Sequence, residues 1–153
     1  MIMEMDKVQF GVASWYGNEF QGCTTSSGEK YDKDEFTGAH RALPFGTCVK
    51  VTNIKNGRSV VVRINDRGPH KLGRKIDLSY AAADKIDMVR DGIARVKIDV
   101  LDEVEGALSL NEQKTLYSLP LIAHEQYLSY NSFLKKNTID DISLSGLMTV
   151  RFR

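Results

Sequence analysis

The sequence predicts a mainly β domain: a small closed barrel of short strands interrupted by one short helix. Three observations predict it. From about Val8 to Leu101, β-type runs are punctuated by Gly, Pro and Asn-Gly. Within that span apolar and polar residues alternate with the period of two that a half-buried strand requires. A single segment, opening at Ser79, carries helical spacing instead. Many short strands around one helix favour a barrel, because closure hides strand edges.

Val49-Lys50-Val51-Thr52 alternates apolar with polar. Asn56-Gly57 is a strong hairpin signal and predicts a type I′ turn, with positive φ at both central positions. Arg58 to Ile64 resumes β-branched character as the second arm, and Gly68-Pro69 breaks the chain. Ala94, Val96, Ile98 and Val100 alternate with Arg95, Lys97 and Asp99, the clearest strand in the chain. In the helical segment Ser79 is the expected N-cap, Ala81 to Ala83 favour helix, Ala82, Ile86 and Val89 share a face, and Gly92 closes it. Beyond Leu101 the punctuation stops. Asp102 to Gln113 reads as an acidic linker or loop. Pro120 suits a first helical position ahead of an apolar stripe at Ala123, Tyr127, Tyr130 and Leu134, and Leu147 to Phe152 alternates like a last strand.

At 153 residues the chain has room for one buried domain and an appendage. With 42% hydrophobic and 27% charged residues it reads as globular rather than disordered. A net charge of +1 gives no footing to a nucleic-acid or membrane-surface role. No apolar run approaches the roughly 20 residues of a membrane span. Met1 to Lys7 is too short and acidic for a signal peptide, so the chain reads as cytoplasmic or as a mature form without its export signal. Cys23 and Cys48 lack metal or redox spacing, which leaves a single bridge or two free thiols open. Three scattered histidines without HExxH argue against a zinc site, and no phosphate loop or dinucleotide fingerprint is present, so neither metal nor cofactor is expected.

The chemistry-bearing candidates are few. Val60 to Ile64 delivers Asn65-Asp66-Arg67 into the Gly68-Pro69 break, which places polar groups at a barrel rim. Asp66 there is either a turn former or an acid, and Arg67 is able to bind a carboxylate or hold Asp66. Ser26-Ser27-Gly28-Glu29 and His40 offer a carboxylate and an imidazole that move a proton, orient a group that does, or serve only as loop and turn residues. His70 follows the break on the same rim. Trp15 and Tyr16 supply flat faces that stack on sugar rings or pack in the core; Phe45 reads more as core.

Together these pieces form an ordered series: Gly11-Val12-Ala13-Ser14-Trp15-Tyr16-Gly17, Ser27-Gly28-Glu29, Tyr31-Asp32, Ala39-His40, Leu43-Pro44-Phe45-Gly46-Thr47, Val49 to Asn53, Asn56-Gly57-Arg58, Val62 to Pro69, and Ile76-Asp77-Leu78-Ser79 with Ala81 to Ala83. The series resembles the rare lipoprotein A family of double-psi β-barrels, related to the expansin and barwin barrels, over roughly Phe10 to Leu101. The resemblance implies a six-stranded double-psi barrel with one or two short helices, placed at residues 8–101; residues 102–153, outside it, read as a C-terminal α/β extension of unknown role. It implies endolytic lytic transglycosylase activity at the MurNAc–GlcNAc bond of peptidoglycan, leaving 1,6-anhydro-MurNAc ends, in the bacterial cell envelope, by a monomer whose partner is the glycan strand. By the same resemblance Asp66 is the catalytic acid, supported by Glu29 and His40, with Trp15, Tyr16, Ser27, Asn65, Arg67 and His70 against the substrate. An acid role calls for a raised Asp66 pKa and for Arg67 to point away from it. The alternative is a non-catalytic module of expansin type that grips and loosens wall glycan. Cys23 and Cys48 bracket the Glu29–His40 segment, where a bridge would pin that loop.

Overall fold

The structure is a computed structural model that describes residues 6–118 and the single helical positions Ala123, Gln126, Ser129 and Ser132. Six strands form a closed barrel: β1 (Val8–Trp15), β2 (Thr37–His40), β3 (Cys48–Asn53), β4 (Ser59–Asp66), β5 (Arg74–Leu78) and β6 (Ile93–Val100), in the order β1-β5-β2-β4-β3-β6. The β1–β5 and β2–β4 pairs are parallel and the remaining neighbours antiparallel. This mixed closed barrel is the six-stranded double-psi architecture that the resemblance implies.

The period-two alternation determines what lies inside. Val49 and Val51, Val60, Val62 and Ile64, and Val96 and Ile98 project inward and are fully buried with Ile76 and Leu78. The β3–β4 hairpin forms where Asn56-Gly57 predicts it, but with a wider turn. Its loop is Ile54 to Gly57, closed by Asn53 N–H donating to Arg58 O and by Gly57 N–H donating to Asn53 O, at 2.8 Å each. Only Gly57 takes a positive φ (74°), so the type I′ expectation fails. The amides of Asn53 and Asn56 instead donate to the Ile86 carbonyl, each at 3.0 Å, and so tie the hairpin to the end of a helix.

That helix, α1 (Tyr80–Lys85), starts where expected, with Ser79 Oγ accepting from Ala82 N–H, and it buries Ala81, Ala82 and Ala83. It stops well before Gly92. Asp87 adopts φ 54°, Met88 N–H reaches back to Ala83 O, and Asp87 N–H to Asp84 O; this is the paired Schellman closure of a helix C-terminus.

Where Asp102 to Gln113 reads as a linker or loop, the structure has a second helix, α2 (Glu103–Ser118). Asp102 caps it by accepting Glu105 N–H at 2.8 Å. Its barrel-facing side is carried by Gly106, Leu110 and Gln113, spaced four and three apart. Gly106 lies so close to Cys48 that a Cβ there would fall 2.6 Å from the Cys48 Cβ. Gln113 accepts from Val61 N–H and donates to Val61 O, both at 2.7 Å, so its amide pairs with β4 as a neighbouring strand would. The apolar residues that a pattern search weighs, Val104 and Leu108, are exposed, and the helical stripe is therefore invisible in the sequence. The chain divides into two compact units, Met1–Lys114 and Thr115–Arg153, so the first includes most of α2. The expected helix after Pro120 and strand at Leu147 to Phe152 lie outside the described residues, apart from helical Ala123, Gln126, Ser129 and Ser132. Among the described residues, no helix is long and apolar enough to cross a membrane.

Candidate active site

The end of β4 builds the site. Ile64 and Asn65 are buried and Asp66 ends the strand half-buried, at a point where the β2–β4 register slips by one residue. Asp66 thus emerges at the mouth of the barrel, and the chain leaves it through Gly68 (φ 143°) and a cis Gly68–Pro69 peptide. Beside it opens a cleft of about 540 Å³ walled by Trp15, Tyr16, Phe20 and Tyr31 and edged by Asp77, Arg67, His70 and Arg74. The aromatic wall is mutually packed. Tyr16 lies 4.8 Å from Tyr31 and 5.7 Å from Phe20 between ring centroids, and Trp15 meets Tyr80 edge-on at 5.6 Å.

Asp66 is held by three donors. Tyr16 OH donates to Oδ2 at 2.8 Å, and the backbone N–H groups of Ser26 and Arg67 donate to Oδ1 at 2.9 Å each. Partial burial pushes its pKa up, but these hydrogen bonds to the ionised form outweigh it and leave the carboxyl below its ordinary range. The raised pKa expected of a resting acid is therefore not found. Tyr16 responds in the opposite sense: burial first, then its bond to Asp66, drives its phenol well above the usual value. The Arg67 guanidinium does point away. Nη1 donates to His40 O and Leu43 O (3.2 and 2.9 Å), and the group stacks 3.9 Å from the Phe45 ring centroid. Phe45 is accordingly a half-exposed platform for Arg67 rather than a core residue.

Five of the nine expected site residues, Asp66, Trp15, Tyr16, Arg67 and His70, line this cleft; Glu29, His40, Ser27 and Asn65 do not. Glu29 makes a bidentate pair with Arg63 (2.7 and 2.9 Å) and accepts from Asn65 Nδ2 at 3.1 Å. The Arg63 bonds, with burial opposing and the Asn65 bond assisting, hold its carboxyl below the usual range. His40 is buried, and its Nδ1 accepts from both Ala42 and Leu43 N–H at 3.1 Å. That leaves the proton on Nε2, 3.3 Å from Gln9 Oε1. Burial, then the charges of Lys75, Arg67 and Arg41, lower its pKa. Ser27 Oγ bonds Thr25 Oγ1 at 3.0 Å within the 24–30 turn. Cys23 and Cys48 are free thiols, so the bridge that would pin this segment is not formed; the Glu29–Arg63 pair and Ser26 N–H tie it to β4 instead.

Eight further residues line the cleft without having been expected there, among them Asp77, Phe20 and Arg74. Asp77, hydrogen-bonded by Ser14 Oγ, is a second carboxylate in the same opening. Its signal was a lone charge between buried Ile76 and Leu78. Phe20, on a short 3-10 turn (Asn18–Phe20), and Arg74, first residue of β5, left no periodic trace.

An open cleft with aromatic walls and two carboxylates thus stands at the mouth of a six-stranded double-psi barrel. Residues 8–98 match the family described as Lytic transglycolase, and the chain belongs to that family. It is similar to the endolytic peptidoglycan transglycosylase RlpA of Vibrio cholerae, with 58% identity over 91 residues covering 60% of this chain and 35% of that protein. The RlpA of Neisseria meningitidis serogroup B is 56% identical over 91 residues, covering 60% and 38%. The probable RlpA of Treponema pallidum is 53% identical over 106 residues, covering 69% and 33%. The chain thus spans about a third of the length of these relatives. Among solved structures, the Streptomyces papain inhibitor superposes with a TM-score of 0.52 at 22% identity, covering 63% of this chain and 96% of that one. The apo expansin of Clavibacter michiganensis superposes with 0.52 at 21%, covering 63% and 51%. Both show the shared fold.

Proposed function

We propose that this domain is an endolytic peptidoglycan lytic transglycosylase of the cell envelope, cutting between N-acetylmuramic acid and N-acetylglucosamine. The supporting observation is Asp66 at the mouth of the barrel, within hydrogen-bonding reach of an open, aromatic-walled cleft. Trp15, Tyr16 and Phe20 offer ring faces for sugars, and Asp66 carries the proton. It protonates the glycosidic O4 as the C1–O4 bond breaks, then takes the proton of the muramoyl 6-hydroxyl as O6 closes on C1. No water is consumed, and one carboxyl serves both steps because the nucleophile belongs to the same sugar.

The free protein holds Asp66 ionised, so the acid form must be favoured by the bound glycan. Asp66 is only partly buried, and burial is the leading influence that raises its pKa; a sugar laid across it extends that burial. Glu29 and Asn65 act as positioning residues that fix the 24–30 turn, whose Ser26 N–H reaches Asp66. Ser27 shapes that turn, and His40 positions Arg67 through its own carbonyl.

The test is incubation of purified peptidoglycan with the wild-type protein and with Asp66→Asn. The expected result is anhydromuropeptides from wild type alone, with both proteins binding the glycan. Equal binding with no products from either overturns the lyase reading in favour of an expansin-like gripping module.

A further inference from the structure

Arg74 opens β5 on the wall of the cleft that holds Asp66 and Asp77. It is half-buried, yet among the described residues its guanidinium has no hydrogen bond, ion pair or ring partner. The other cleft arginine is spent, since Arg67 serves two carbonyls and the Phe45 ring. Both cleft carboxylates are likewise occupied, Asp66 by its three donors and Asp77 by Ser14. The loop before Arg74 is pinned from behind. Arg41 donates to Pro69 O at 2.6 Å and to Lys71 O at 2.9 Å, and Arg74 N–H closes the turn onto Lys71 O at 3.4 Å. A planar five-donor fork, held on a braced loop and partly withdrawn from water without a counter-ion, is built for an anion that arrives with the ligand.

We infer that Arg74 recognises the carboxylate of the muramoyl residue, the lactyl acid on O3, and so selects which sugar lies beside Asp66. This rests on the peptidoglycan reading above. N-acetylglucosamine has no such acid, so Arg74 discriminates peptidoglycan from neutral chitin-like polymers. It also discriminates a free lactyl acid from one amidated by a stem peptide, whose own carboxylates lie farther out.

The test measures binding, which separates it from cleavage. Dissociation constants are taken in the Asp66→Asn background for four ligands: peptide-stripped glycan fragments, the same fragments with the lactyl carboxyl reduced to an alcohol, peptide-bearing fragments, and chitohexaose. With Arg74 present, stripped glycan binds about 10- to 100-fold tighter than its reduced form, the range of one charge-assisted bidentate contact. Arg74→Gln brings the two within about twofold, Arg74→Lys recovers part of the gap, and chitohexaose binding stays unchanged, with thermal unfolding confirming the fold. Three outcomes overturn the inference: Arg74→Gln retaining the preference, Arg74→Gln weakening all ligands alike, or a preference confined to peptide-bearing glycan. A wild-type protein that makes no anhydro products yet shows the Arg74-dependent preference refutes the lyase reading and leaves this one standing.

Discussion

Two polar clusters meet at the end of β4, and they are built for opposite purposes. On one side Asp66 faces an open cleft with Tyr16, Asp77 and Arg74. On the other, Arg63 and Asn65 turn to Glu29. The His40 ring, at the end of β2, accepts from the backbone N–H groups of Ala42 and Leu43. The two sides are adjacent in sequence, since Asn65 and Asp66 are neighbours, and their partners part them: Asn65 donates to Glu29, whereas Asp66 accepts from Tyr16, Ser26 and Arg67. Polar residues at a rim thus divide into those offered to a ligand and those that hold the frame. Which is which depends on the partners the fold brings up as much as on residue type.

If that division is right, substitutions on the two sides should fail differently. Asp66→Asn should lower cleavage by roughly 10²- to 10⁴-fold, the usual worth of a positioned acid–base group, with little change in the unfolding midpoint. A loss matched by unfolding would erase the distinction. Glu29→Ala should cost about tenfold in kcat by loosening the turn that brings Ser26 N–H to Asp66, and Glu29→Gln should restore most of it. Its direct cost in stability should be only about 0.2–1 kcal/mol, because the pair with Arg63 is well exposed. Failure of Glu29→Gln to rescue would move Glu29 into the chemistry.

The Asp66 carboxyl itself gives a sharper test. As the acid it must be protonated, so activity should fall as pH rises through its pKa. The limb in kcat/KM, which reports the free protein, should lie below that in kcat, which reports the covered site. Tyr16→Phe removes a donor that favours the ionised form, and should shift the kcat/KM limb up by about one pH unit. An acidic limb, with activity lost as Asp66 gains its proton, would show that it works ionised.

The smallest effect on cleavage belongs to His40. Its folded pKa lies below the ordinary imidazole value, so between the two pKa values the unfolded chain binds more protons, and stability falls as pH drops below about 6.5. His40→Asn keeps an acceptor for Ala42 and Leu43 N–H and should flatten that slope while changing cleavage less than about twofold. His40→Ala, which strands both donors, should cost about 1–3 kcal/mol in denaturant unfolding.

The fold was legible where strands have one wet face. β3, β4 and β6 show their period directly, and Ser79 marks α1. β2 is buried at all four positions and β5 is five residues long, so neither carries a readable alternation. Both were implied by the resemblance and by nothing in their own pattern. At the site, Asp66 was legible as a polar residue delivered by a buried strand into Gly68-Pro69. Asp77 was not, because its partner Ser14 is 63 positions away and only the barrel brings them together. Glu29 and His40 were legible as polar residues, but which side of the rim they serve depends on bonds to Arg63 and to local backbone that no spacing encodes.

The amide of Gln113 has a consequence for any excision of the barrel. It closes the flank of β4 at Val61, well past the stretch that matches the family. Cutting the chain near Leu101 would strip that cover and bare an N–H and a C=O beside the apolar seat of Leu110, an invitation for a second copy to add its own edge. A trimmed barrel of that kind should self-associate, whereas one ending after Lys114 should stay dispersed.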